Sequence, residues 1–393
     1  MGSKNSAVTS TGASARNTLS IIGGGIFLKP FKTIDEQIAL LKQRGLHISD
    51  ESMAKKALLG NNYYNIINGY SKYFPMRGDT YTGGTTFDEV THLYLFDGEI
   101  KQAFFRAILA AETHLKSIFA HRFAEQFQNI PYPYLNIACY DVKKALDVVT
   151  TIHKLSGIIN RKRQDRTSSI YHYLTRYDNV PIWVLVNHLD FGDLRYMLAN
   201  SQPRIQNSVA KDLTGFIRQH IQNPSTFPPE VMLAFLANIN EMRNVCAHNN
   251  RLVGFRCRRD DKYWSPLHQS HNIPPNGNRR DAYSIYLALQ CFLSSTEYNI
   301  LHNTLRKRMN YVSLRLHSIT LNDILNELGF PDDWNKSVSK MLQQPQCAPP
   351  PKKQRTAPLT DEEIEAELAN YRAELLAERE ARSVSEDGTA KRA

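Results

Sequence analysis

Between Asp97 and Phe127 the apolar residues Phe104, Ile108, Leu115, Ile118, Phe119 and Phe123 recur at three- and four-residue steps, the period of an amphipathic helix. A helix of about 30 residues, roughly 45 Å long, cannot bury such a stripe by itself. Other helices have to cover it. The rest of the chain supplies them. Thr33-Ile34-Asp35-Glu36 is a capping box opening a helix that stops at Gly45, and a second helix runs from near Asp50 to Gly60. Further helices are expected at about 141–160, 181–199, 203–222, 229–248, 281–297 and 299–316, with Pro181 in the first turn of its helix. Two-residue alternation is confined to short pieces such as Tyr73 to Met76 and Val253 to Cys257. The expected fold is therefore all-α, without an internal repeat.

With 393 residues, the chain has room for two domains or one larger body with appendages. Residues 1–28, rich in Ser, Thr, Ala, Gly and Asn, read as a mobile tail. Residues 29–96 read as an N-terminal helical region and 97–342 as the main bundle. A Pro-rich linker is expected at 343–359, and a charged helix and tail at 360–393. The apolar stripe of that last helix, Ile364, Leu368, Tyr371 and Leu375, suits a partner contact but is too short for a coiled coil. The net charge is +10. From Gln344 onward, eight Lys or Arg stand against ten Asp or Glu, a net of −2, so the body carries +12 and an anionic partner is expected. No stretch reaches the ~20 apolar residues of a membrane span, and Leu19 to Leu28 reads as neither anchor nor signal peptide. Five scattered cysteines without a CxxC pair point to a reducing, cytoplasmic setting.

Several chemistries lack their motifs. Gly23-Gly24-Gly25 is not followed by the Gly-Lys-Ser/Thr of a P-loop, and neither a GxSxG elbow nor an HExxH helix is present. Cys257, His268 and His271 lack a fourth ligand and paired spacing, so no metal site and no cofactor are expected.

One segment concentrates reactive side chains: Met242-Arg243-Asn244-Val245-Cys246-Ala247-His248-Asn249-Asn250-Arg251. It closes a helix whose stripe is Met232, Phe235, Leu236, Ile239, Met242 and Cys246. Asn244 and His248, four residues apart, share a face turned away from that stripe, and Arg243 falls on its edge. A guanidinium there needs a carboxylate, and Glu112 on the long helix is the expected partner. Imidazole, arginine and amide together suit cleavage of RNA without a metal. Imidazole moves the proton of the 2′-hydroxyl or of the leaving 5′-oxygen, arginine stabilises the phosphoryl charge, and Asn orients either one. The same residues also read as an ordinary helix C-terminus, with His248 at the negative dipole end and Asn249-Asn250 as a left-handed cap.

With the Asn-Asn-Arg-Leu at its end, the segment resembles the Abi-like (abortive-infection) proteins of the wider HEPN superfamily. Lys29-Pro30-Phe31, Gln43-Arg44-Gly45-Leu46, Asn62-Tyr63-Tyr64-Asn65, Gly69-Tyr70, Glu112, Pro181-Ile182-Trp183 and Phe191-Gly192-Asp193-Leu194 agree with that family in the same order, over roughly 29–316. The resemblance implies a HEPN-type helical bundle with a metal-independent ribonuclease centre. It also implies a role in anti-phage defence, or as a toxin held by a small antitoxin RNA. Arg243, Asn244 and His248 correspond to the family's Arg-Asn-x-x-x-His motif, and Glu112 and Arg106 match an upstream helix loosely. HEPN proteins that bind RNA without cutting it supply the alternative, a module engaging a structured small RNA. One His per chain suggests a homodimer. Candidate RNA contacts are Arg161 and Arg163, Arg251, Arg256, Arg258 and Arg259, and Arg106.

Overall fold

A computed structural model of the chain describes residues 20–22, 26–28 and 30–342. The expected linker at 343–359, the charged C-terminal helix and most of the expected N-terminal tail lie outside the described residues. Within that tail, β1 (Ser20–Ile22) and β2 (Ile26–Leu28) pair antiparallel.

The chain is all-α. α1 (Ile34–Gln43) opens with the capping box of Thr33 and Glu36, and α2 (Glu51–Asn61) is capped by Asp50. Between them Gly45 has φ +78°, and a Cβ there would stand 2.9 Å from the Tyr81 carbonyl oxygen, so only glycine allows this turn. A π-helical turn (Tyr64–Asn68) leads to a small hairpin, β3 (Met76–Arg77) with β4 (Thr80–Tyr81). The extended pairing expected at Tyr73 to Met76 forms only at its end, and Val253 to Cys257 pairs with no strand among the described residues.

The central element is α3 (Phe87–Gln126), 40 residues long. It starts ten residues before the expected Asp97, across the expected boundary at 96/97. Thr86 and Glu89 form a capping box there, and Glu89 also accepts from the backbone of His317 and Ser318 at 2.7 and 2.6 Å. Around α3 stand α4 (Ala145–Lys162), α5 (Ser169–Tyr177), α6 (Ile182–Leu185), α7 (Phe191–Asn200), α8 (Pro203–Ile217) and α9 (Pro229–Ala247). The short α10 (Ser265–His268) and α11 (Ala282–Ala288) precede α12 (Ser295–Ser313), and α13 (Leu321–Leu328) and α14 (Trp334–Ser337) close the bundle. α6, α8, α9 and α12 pack directly on α3, burying Phe104, Ile108, Leu115, Phe119 and Phe123. Arg122 of α3 bonds both oxygens of Asp212 on α8, at 2.5 and 2.6 Å.

Two expected helices are each divided. The 181–199 stretch breaks at Leu189, because Asp190 turns its carboxylate onto the Asp193 N–H at 2.7 Å and begins α7 afresh. The 281–297 stretch ends early, because Ser294 and Glu297 form a capping box that starts α12. Among the described residues, no helix is long and apolar enough to cross a membrane.

Candidate active site

α9 ends in a motif read directly from its hydrogen bonds. Asn249 has φ +51° and donates its N–H to Cys246 O at 3.2 Å, while Asn250 N–H reaches Val245 O at 2.9 Å. These are the two bonds of a Schellman turn, with Asn249 in the left-handed position. The expected left-handed cap is therefore present. His248 is the last half-helical residue and is exposed, as is Asn244 one turn before it.

A buried ionic network anchors the chain from Asn249 to Val253. Asp97 of α3 is fully buried and Lys101, one turn on, is 5% exposed; their charges lie 3.1 Å apart. Lys101 Nζ donates to Asn249 Oδ1 at 2.7 Å. Leu252 and Val253 donate their N–H groups to Asp97 Oδ1 at 2.9 and 2.7 Å. Arg251 then bonds Gly69 O at 2.5 Å and Val253 O at 3.1 Å, with its guanidinium over the Tyr73 ring. The stretch after the motif is thus clamped to the long helix and to the N-terminal helices. Sequence reasoning missed Asp97 and Lys101. The signal was available: 97, 101, 104 and 108 step by 4, 3 and 4, so a charged pair continues the apolar stripe.

Arg243 is half-buried and does not meet the expected Glu112. Glu112, also buried, is held at 2.7 Å by Lys116 one turn along the same helix, and no Glu112–Arg243 ion pair forms among the described residues. A carboxylate and a lysine at i, i+4 on one helix meet without any tertiary adjustment, and that proximity decides the partner. Arg243 instead lines a polar pocket of about 150 Å³ with Asn244, Asn240, Lys154, Tyr196, Asp190 and Asp193. Its Nε is buried with no hydrogen-bond partner among the described residues. Lys154 neutralises Asp193 at 2.8 Å. Gly192 lies beside the α7 cap, where a Cβ would come within 3.2 Å of Asp190 Oδ1 and only make ordinary contact, at 3.8 Å, with the Asn240 amide of α9. The Cys246 thiol within the motif is pushed up to about 12 by burial, which makes it a poor nucleophile at neutral pH.

The remaining candidates are dispersed. Arg256, Arg258 and Arg259 are all exposed, and Arg256 is tied to Glu327 O at 2.7 Å and Phe255 O at 2.9 Å. Arg161 and Arg163 are exposed at the end of α4. Arg106 lines a separate groove between α3 and α12 with Glu99 and Arg308, away from the residues of the Arg243 pocket. Arg251 is committed to the clamp. Among the described residues, no group of three or more His, Cys, Asp or Glu is placed to hold a metal ion. His268 is buried against Trp264, and burial drives its imidazole down to about 4.

An all-helical body with a polar motif closing one of its helices is the frame into which a comparison with known families fits. The Abi-like protein family matches residues 56–253, half of the chain, from α2 to the clamp after α9. The protein belongs to the Abi-like, or abortive-infection, family. No curated protein and no solved structure matches it.

Proposed function

We propose that this chain is an abortive-infection defence protein of HEPN type that cleaves RNA without a metal, using Arg243, Asn244 and His248. The observation that carries the reading is the setting of Arg243. Its Nε has no partner among the described residues, it lines a polar pocket with Asn244, and His248 stands exposed one turn beyond Asn244. A phosphoryl oxygen in that pocket would satisfy the guanidinium and receive its charge. The His248 imidazole would take the 2′-hydroxyl proton or protonate the leaving 5′-oxygen. Asn244, on the same face, orients substrate or imidazole. The rigidity such positioning needs is supplied by the Schellman turn and the Asp97–Lys101–Asn249 clamp.

One chain brings one such imidazole, and in-line cleavage uses a base and an acid. A homodimer joining two motifs supplies both, in the cytoplasm, with a small RNA as the restraining partner in a toxin–antitoxin arrangement. The test is incubation of the purified chain with single-stranded RNA in EDTA. Products ending in a 2′,3′-cyclic phosphate, lost in His248→Ala, are expected. Undiminished cleavage by His248→Ala would refute the site. Tight RNA binding by both proteins with no cleavage would establish the RNA-binding module in its place.

A further inference from the structure

A wide groove of about 980 Å³ contains none of the motif residues. It runs between the C-terminal half of α3 and the segment 179–187, and its size is at the upper end for a ligand site. Trp183 stands on its wall with 56% of its surface exposed, whereas Trp264 and Trp334 are buried. An indole left in water at a groove wall forgoes the burial that usually holds tryptophan in a core. Around it are side-chain amides, Gln128, Asn179 and Asn187, with the His121 imidazole and with Lys116, whose ammonium is paired with Glu112 at 2.7 Å. Asn187 Nδ2 is committed to Trp183 O at 3.0 Å, which leaves its carbonyl oxygen to accept from a ligand. Glu125, the acid on this wall, is held by Arg122 at 2.7 Å.

The groove also joins a basic surface. His188, next to Asn187, bonds Ser169 Oγ at 3.0 Å through its Nε2, which ties the start of α5 to the groove wall. Burial, then the charge of Lys162, lowers the His188 pKa, partly offset by Asp165, which pairs with Lys162 at 3.0 Å. Arg161 in the last turn of α4, and Arg163 and Arg166 on the connection from α4 to α5, are exposed. At the other end of α5, Tyr177 is exposed beneath the Arg176 guanidinium, 5.8 Å from its ring centroid, two residues before Asn179.

We propose that this groove is a subsite for single-stranded RNA, in which an unpaired base stacks on Trp183, its edge meets Gln128, Asn179 and Asn187, and the backbone leaves over Arg161, Arg163 and Arg166. An aromatic face, amides matched to base edges and an adjoining row of cations are the elements of single-strand recognition. An apolar peptide would use the indole but not the amides or the cations. The inference rests on the proposed action on RNA but uses none of the motif residues, so the two can fail separately.

The test uses the full chain and a 2′-O-methyl decaadenylate, which cannot be cut because its 2′-oxygen carries no proton. Titration at low salt should quench part of the tryptophan fluorescence, a change assigned to Trp183 because the other two indoles are buried out of reach of a stacked base. Trp183→Ala should weaken binding roughly tenfold, the scale of one lost base stack, with its melting temperature unchanged. Trp183→Phe should recover part of the affinity. The same oligonucleotide paired into a duplex should bind more weakly, because its bases are already stacked. Arg243→Ala should still show the quench at saturating oligonucleotide, because Trp183 is intact, while losing cleavage of ordinary RNA. Unchanged affinity in Trp183→Ala, binding without quenching, or no binding by wild type would overturn the subsite. Cleavage that persists in Trp183→Ala at saturating RNA would leave the ribonuclease reading standing.

Discussion

Replacing Lys101 by Met tests the clamp that holds the motif in place. The substitution keeps the length of the side chain and removes the ammonium. Asp97, fully buried, then keeps the N–H groups of Leu252 and Val253 but no opposite charge from Lys101, and Asn249 Oδ1 loses its donor. Breaking a buried pair from one side costs about 3–5 kcal/mol, because the remaining charge stays uncompensated. For a body of this size each kcal/mol is worth about 2 °C in Tm, so the melting temperature should fall by roughly 6–10 °C. Asp97→Asn alone should also be costly, since it leaves the ammonium unpaired. Combining Asp97→Asn with Lys101→Met removes both charges, while the Asn carbonyl still accepts from the backbone. The double variant should therefore melt higher than either single one, a coupling that a double-mutant cycle reads directly. Thermal unfolding followed by near-UV circular dichroism is the assay. A Tm shift below about 2 °C in Lys101→Met, or a double variant whose loss equals the sum of the singles, would refute the argument.

Arg243→Ala should abolish cleavage with little change in Tm, because Glu112 relies on Lys116 and not on Arg243; a large loss of stability would mean that another carboxylate depends on the guanidinium. Asp261 is buried with Oδ1 unpartnered among the described residues, and burial raises its pKa well above the ordinary value, partly offset by Arg279. The folded state therefore holds that proton more tightly than the unfolded state, and the stabilisation, greatest below the unfolded value, is lost as pH rises toward the folded one. Asp261→Asn should accordingly melt higher than wild type at neutral pH, with the gap narrowing toward acid; a gap independent of pH between 5 and 8 would contradict this. Charge reversal at the exposed Arg258 and Arg259 should weaken RNA binding and flatten its salt dependence, measured by anisotropy at two salt concentrations. Equal slopes for variant and wild type would move the RNA path away from this surface.

Much of the fold was written locally. The capping box at Thr33 and Glu36, the stop at Gly45 and the stripe of α3 depend on residues within four positions of one another, and each appears where the sequence places it. The errors of extent had local causes too. Thr86 and Glu89 carry the same capping signal as Thr33 and Glu36, and overlooking them shortened α3 by ten residues. Asp190 and Ser294 are N-cap residue types inside stretches that hydrophobic period alone reads as continuous. The Schellman turn at Asn249 was legible, because asparagine tolerates the left-handed conformation that ends a helix.

The site divides in the same way. That Asn244 and His248 share a face, and that Glu112 meets Lys116, are consequences of the 3.6-residue period of single helices. That Asn249 bonds Lys101 across 148 positions, that α7 brings Asp190 and Asp193 beside Arg243, and that Trp183 is left on the wall of a groove were decided by packing. Sequence carries local hydrogen bonding and periodicity because their partners lie within one or two turns. Which helix faces which is settled only when every apolar stripe must be covered at once, and the buried charges then take whatever partner that arrangement leaves within reach.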